Sequence, residues 1–335
     1  MNLIVLGSLI PVVVLICIGL LAARAQWLRP DSVKDMSTLL FMVLTPALMF
    51  RTMSKVDIVH LDLTPIAAYF SAALLLYATV TWWGRATRHA AAMAISATFG
   101  NTVAIGIPVV SLAYGEAALV TLFTIVAVHA LILLTLTTVM FEWATRREAL
   151  LKAKGAPGVA GIADPLPSAA LGRHWVANVA QAVKGGILNP ATTPTLLGLL
   201  FAQTGWPMPT VLDNTLKLLS AAMGPVALIL VGAALANAKV GEQVKGALGL
   251  TLLKNGLMPL MVAASGWAWG LRGVPLTVLV VAAAMPIGAN AFLFSQRYNV
   301  AQSLVTAGVA LSTVLALLSV SLVMALMATL PTVGG

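Results

Sequence analysis

About ten stretches of this chain are apolar over enough length to cross a hydrocarbon core ~30 Å thick. They lie near 3–23, 33–53, 63–84, 90–113, 117–142, 186–204, 210–236, 246–269, 275–296 and 300–329. That pattern leaves few folds open. In lipid every backbone N–H and C=O must pair within the protein, which only helices and closed barrels achieve. These stretches are long and rich in Leu and Ala, so helices are favoured over barrel strands. With 60% hydrophobic and 9% charged residues, the chain has too little polar surface for a water-soluble globule. The expectation is an all-α polytopic membrane protein with ten transmembrane helices.

The stretches fall into two related sets. Pro11, Gly19, Trp27, Pro30 and Pro46 recur 179 positions later as Pro190, Gly198, Trp206, Pro209 and Pro225. Chance rarely matches a tryptophan and three prolines at one offset. A register of 186 then aligns Trp83-Gly84 with Trp269-Gly270, and Phe99-Gly100-Asn101 with Met285-Pro286-Ile287. The implied organisation is a first five-helix repeat over 1–142, a cytoplasmic linker over 143–183 and a second five-helix repeat over 184–335. Five is odd, so the second copy enters from the opposite face and the whole becomes a 5+5 inverted repeat. Duplicated membrane units point to a transporter with its substrate site where the copies meet.

The net charge of +9 does not read as a nucleic-acid surface, because the positive residues sit between spans. Loops after odd-numbered spans hold most of them, including Arg85, Arg88, Arg146, Arg147, Lys184 and Arg297, while those after even-numbered spans hold mainly Arg51, Lys55 and Arg272. The positive-inside rule then places the odd-span loops in the cytoplasm and both termini outside, in a cytoplasmic membrane. No basic residue precedes the first span, which argues against a cleaved signal peptide. The 143–183 stretch is rich in Gly and Pro and reads as a flexible linker. Within it, Arg173 to Lys184 is either a surface helix or a ramp into the next span. Cys17 is the lone cysteine, and no P-loop pattern occurs, so neither a Cys-based metal cluster, nor an ATPase, nor any other cofactor is expected.

Two spans carry the chemistry. The fourth contains Phe99-Gly100-Asn101-Thr102-Val103-Ala104-Ile105-Gly106-Ile107-Pro108, and the ninth contains Ala284-Met285-Pro286-Ile287-Gly288-Ala289-Asn290. Pro removes a backbone donor and clashes with the preceding turn. Gly tolerates the broken geometry. Asn supplies both a donor and an acceptor to replace the lost partners. A break in lipid orphans N–H and C=O groups at several kcal/mol each, so it persists only where protein, water or ligand satisfies them. The N-terminal end of each half-helix carries roughly +0.5 charge and unpaired N–H groups. Two such ends from inverted copies hold an anion without buried lysines.

Other positions have narrower readings. Pro46 and Pro225 bend spans two and seven, with Thr45 beside Pro46 the candidate to touch substrate. Lys254, about nine residues into span eight, either attracts a carboxylate or reaches back toward the cytoplasmic interface. His129, mid-span in span five, either relays protons or bonds a neighbouring helix. Glu116, Glu142 and Lys217 lie near span ends, and Tyr114 and Tyr298 read as interfacial anchors.

With these residues in view, the chain resembles the auxin efflux carrier family. Asn101-Thr102-Val103-Ala104-Ile105-Gly106-Ile107-Pro108 followed by Tyr114-Gly115 is similar to that family's first crossover signature. Pro286-Ile287-Gly288-Ala289-Asn290-Ala291-Phe292 and Tyr298-Asn299 are similar to its second. Gly288-Ala289-Asn290 looks more like the bacterial malonate-transporter branch than the plant carriers. The resemblance implies ten helices with broken, crossing helices 4 and 9. It implies a scaffold from helices 1, 2, 6 and 7 and a transport domain from helices 3–5 and 8–10. It also implies elevator-like movement, a carboxylate substrate and a homodimer, with Asn101, Pro286 and Asn290 at the crossover positions. Two departures stand out: the plant carriers have Pro where this chain has Gly100, and an acidic residue in span three where 63–84 has none.

The function expected is a secondary transporter of a small organic anion, malonate or another short carboxylate, in a lipid bilayer, with a proton or sodium as the coupling ion. Its substrate site would comprise Gly100, Asn101, Thr102, Pro286, Ile287, Gly288, Asn290 and Thr45, with Lys254 and His129 as charge or coupling residues. An auxin-like or amino-acid carrier is the alternative within transport. An ion channel and a membrane-embedded enzyme are the alternatives outside it.

Overall fold

The structure, a computed structural model, describes residues 3–57, 61–155, 180–181, 183–188, 192–236 and 243–329. They form an almost wholly helical protein whose one β feature among the described residues is an isolated bridge between Gly100 and Ile287. The repeat proline Pro190 and the Trp175 segment lie outside the described residues.

Helix α1 is Leu3–Arg24. The next span is compound: α2 (Pro30–Leu39), a π-helical turn π1 (Leu40–Leu44) and α3 (Thr45–Met53). Helix α4 (Thr64–Trp83) follows, then α5 (Arg88–Thr98), a break, a π-helical turn π2 (Thr102–Gly106) and α6 (Ile107–Gly155). The second half holds α7 (Thr192–Gln203), α8 (Thr210–Ala236), α9 (Val244–Thr251), a π-helical turn π3 (Leu252–Leu257) and α10 (Met258–Ala268). It ends with α11 (Gly273–Ala284), a second break, α12 (Ala289–Arg297) and α13 (Gln302–Thr329).

Among the described residues, five helical stretches are long and apolar enough to cross a membrane, and the bent pair Gln302–Ala316 and Leu318–Thr329 makes a sixth. The number falls short of ten partly because breaks leave α5 and α11 as half-length pieces. One stretch, Thr102–Glu148, is instead two spans run together: its 47 residues extend ~70 Å at helical rise, about twice a bilayer core. The joint is Gly115, at φ 78° and ψ 179°, a conformation only glycine adopts readily.

Each π-helical turn is followed by proline at the second position of the next α-helix: Pro46 after π1, Pro108 after π2 and Pro259 after π3. Proline lacks an N–H and its ring presses on the carbonyl four residues back, and the wider turn relieves that clash. Pro108 therefore does not make the break, which lies seven residues earlier at Asn101. Pro225, the repeat counterpart of Pro46, sits inside the continuous helix α8.

Two groups of helices make most of their contacts within themselves. Helix α1 runs along α8, and α3 packs on both α7 and α8. Helix α4 packs on α5 and α10, α10 on α11, and α9 on α13. Helix α6 touches both groups. Glycines set the closest approaches, as expected where small residues let backbones meet in lipid. A Cβ on Gly19 would lie 1.9 Å from the Ile229 carbonyl oxygen, and one on Gly198 would lie 2.7 Å from that of Phe50.

One part of the sequence reading changes and another gains detail. The 143–183 stretch begins as helix, because α6 continues to Gly155; its later part to 179 lies outside the described residues. Tyr298, read as an interfacial anchor, also has specific protein partners: its ring stacks on Phe141 at 4.2 Å and its hydroxyl donates to Glu142 at 3.0 Å.

Candidate functional site

Both mid-membrane breaks occur where local chemistry requires them. Helix α5 is fixed at its start, where the Thr87 side chain accepts from the Ala90 N–H and Glu148 accepts from the Arg88 N–H and Nε. It ends at Thr98, and Phe99 turns extended. Helix α11 ends at Ala284 because Met285 precedes Pro286, and a residue before proline is pushed out of the helical region. Met285 is accordingly extended, at φ −60° and ψ 148°.

The two extended segments cross and pair. Asn101 N donates to Pro286 O at 2.8 Å, and Gly288 N donates to Phe99 O at 2.9 Å. Ile287 N donates to Ser312 Oγ on α13 at 3.1 Å. These three bonds satisfy groups that a broken helix would orphan in lipid. The crossing is tight at Gly288, where a Cβ would lie 2.7 Å from Phe99 Cδ1 and 3.0 Å from Gly100 O.

Beside the crossing lies a cavity of about 460 Å³. The sequence-selected residues Thr45, Gly100, Asn101, Thr102, His129, Gly288 and Asn290 all line it. Two helix starts converge there, Thr102–Val103 of π2 and Ala289–Asn290 of α12. The first turn of a helix leaves its N–H groups without intrahelical partners and carries partial positive charge. The side-chain amides of Asn101 and Asn290 have no protein partner among the described residues, and both side chains are half-buried. Thr45 Oγ1 is buried and also lacks a protein partner. Among the described residues, no Asp, Glu, Lys or Arg lines the cavity. The arrangement offers donors and partial positive charge with no carboxylate to oppose them, which suits an anion.

Pro286, Ile287 and Lys254 are not among the lining residues. Pro286 and Ile287 contribute backbone bonds to the crossing instead. Lys254, on π3, is 0% exposed and donates to Ala283 O at 2.5 Å. It neither pairs with a carboxylate among the described residues nor reaches an interface. Burying an ammonium without a counter-charge costs several kcal/mol. His129 stacks on Phe99 at 4.5 Å, and its Nε2 lies 3.4 Å from Tyr69 Oη. It therefore holds a cavity wall and bonds a neighbouring helix.

Sequence reading missed the apolar part of the cavity: Phe41, Met42, Phe99, Val103, Val126 and Leu293. Nothing distinguishes these from the other apolar side chains along the spans. It also missed Ser312, whose role depends on Ile287 being brought to it. A further polar cluster sits at the far end of α3. There Arg51, nearly buried, donates to Asp213 of α8 at 2.9 Å and to Glu116 of α6 at 3.3 Å. It links the two helix groups.

Residues 4–324 match the family described as membrane transport protein. Auxin efflux carrier component 8 of Arabidopsis thaliana is 25% identical over 93% of this chain and 94% of that protein. Auxin efflux carrier component 2 of Oryza sativa subsp. japonica is 30% identical over 43% of this chain and 23% of its own length. Auxin efflux carrier component 4 of Arabidopsis thaliana is 31% identical over 39% of this chain and 22% of its own. The chain thus spans nearly all of the first relative and under a quarter of the other two.

Proposed function

The chain belongs to the membrane transport protein family of the auxin efflux carriers, and from that premise we propose that it is a secondary transporter of a small carboxylate. The observation that carries this is the cavity at the crossing, where two helix starts and the unpartnered Asn101 and Asn290 amides converge with no acidic side chain present among the described residues. A carboxylate presents acceptors only, and this wall offers it amide, hydroxyl and helix-start N–H donors. Malonate, or another short dicarboxylate, is the first substrate to test.

Alternating access follows from an inverted 5+5 repeat, which the paired glycine contacts support. Gly19 meets Ile229 and Gly198 meets Phe50, and both partners shift by 179 residues, 19 to 198 and 50 to 229. A two-fold relation exchanging the halves produces that reciprocity. The packing of α1, α2–α3, α7 and α8 mainly on one another supports a scaffold against which the remaining helices move as an elevator. Positive-inside orientation puts α12, and so this cavity, on the cytoplasmic half of a cytoplasmic membrane, with both termini outside.

A second reading has its own support. The apolar wall formed by Phe41, Met42, Phe99, Val126 and Leu293 fits a carboxylate carrying an aromatic or apolar group, as an auxin-like carrier would take. Purified protein in proteoliposomes distinguishes the two through counterflow of labelled malonate, with phenylacetate as competitor. Saturable malonate counterflow supports the first reading, and saturable phenylacetate transport without malonate transport supports the second. Linear, non-saturating flux would indicate a channel. Asn101→Ala and Asn290→Ala should each reduce counterflow at least about tenfold while insertion is retained; wild-type rates in both sink the site assignment.

A further inference from the structure

We propose that Lys254 is the built-in cation of the crossing, supplying from behind the cavity wall the charge that balances the bound anion, so that transport needs no sodium. The inference rests on the anion reading above and adds the source of the charge. Three observations place it. The Lys254 ammonium donates to Ala283 O, in the last turn of α11. Carbonyls there lack helical partners and form the negative end of the helix dipole, the position a bound cation would take. The same ammonium lies 3.3 Å from where a Gly100 Cβ would be, and Gly100 lines the cavity. One glycine backbone therefore separates the charge from the substrate space. Lys254 is wholly buried, has no carboxylate partner among the described residues, and does not touch the cavity. A cation so placed is left uncompensated until an anion enters.

Lys254 is thus a positioning residue for charge rather than a direct ligand. Its role is separable from a structural one by comparing a charged probe with its neutral twin. Full-length protein is assayed by competition of counterflow, using malonate against malonamide and phenylacetate against phenylacetamide. Lys254→Met should weaken the acids at least about tenfold and leave the amides within about twofold. Equal weakening of acid and amide, or no weakening of either, overturns the inference. A second measurement needs neither substrate nor variant. The melting temperature of the wild-type protein should be the same in sodium chloride and choline chloride at equal ionic strength. A rise specific to sodium overturns the inference whatever the substrate is. If wild type transports neither acid, the carboxylate reading falls and the inference with it, whereas a sodium-specific rise in melting temperature overturns the inference and leaves the carboxylate reading standing.

Discussion

Gly288→Ala tests the crossing directly. The backbone at Gly288 has φ −76° and ψ 149°, which alanine adopts freely, so any effect is steric. The new methyl would lie 2.7 Å from Phe99 Cδ1 and 3.0 Å from Gly100 O. Carbon atoms rest at about 3.5–4.0 Å, so the ring or the strand must retreat by about 1 Å. The ring is held by its stack on His129 at 4.5 Å. The strand is held by the 2.8 and 2.9 Å bonds of the bridge. Overpacking of this kind costs about 1–3 kcal/mol. Weakening one bridge hydrogen bond adds about 1 kcal/mol, so about 2–4 kcal/mol is expected in all. The assay is denaturant unfolding in detergent alongside counterflow KM in proteoliposomes. Gly249→Ala is the control: nothing lies within 4 Å of its Cβ position, and it sits in α9, where alanine should stabilise by about 0.5–1 kcal/mol. Wild-type stability and KM in Gly288→Ala would refute the tight crossing.

Three further outcomes follow from the same geometry. Thr45→Val removes a buried hydroxyl that has no protein partner but faces substrate space, so stability should hold within about 1 kcal/mol while KM rises about tenfold. Ser312→Ala leaves the buried Ile287 N–H without its acceptor and should cost about 1–3 kcal/mol in unfolding, with transport lowered through the displaced crossing. Glu116→Gln loosens the link that Arg51 makes between the helix groups, but Glu116 is 64% exposed, so solvent screening should limit the change in counterflow rate to about fivefold, diminishing at high salt.

Much of the site was legible because its residues announce themselves chemically. Met285-Pro286 forces an extended residue, and Gly100-Asn101 and Gly288 remove or replace what a helix needs; these are local effects, readable within a few residues. The π-helical turns were equally local in cause, since each precedes a proline, yet the sequence reading took Pro108 as part of the break. A proline relieved by a wide turn and one that ends a helix look alike until the backbone is seen. Lys254 left two readings open, attraction of a carboxylate or a reach back to the interface, and the structure shows it wholly buried on a backbone carbonyl. Its partner is a carbonyl 29 residues away that exists as an unpaired acceptor only because α11 stops there. Tyr298 reads as an interfacial anchor because aromatic residues gather there, and its stack on Phe141, 157 residues away in sequence, is a contact no local pattern announces.

Composition and periodicity by themselves determined that the chain is helical and membrane-bound, because lipid tolerates no unpaired backbone and every long stretch is apolar. The recurring prolines and glycines likewise marked two places where helices stop, since steric exclusion acts within a few residues. Only the tertiary structure decided that the two stops meet, with Gly100 facing Ile287 across most of the chain. It alone set Lys254 behind that meeting and an apolar wall of Phe41, Phe99 and Leu293 in front of it. The reason is that an orphaned N–H or an uncompensated charge names the kind of partner it requires, while which partner it receives depends on packing between segments that no local pattern encodes.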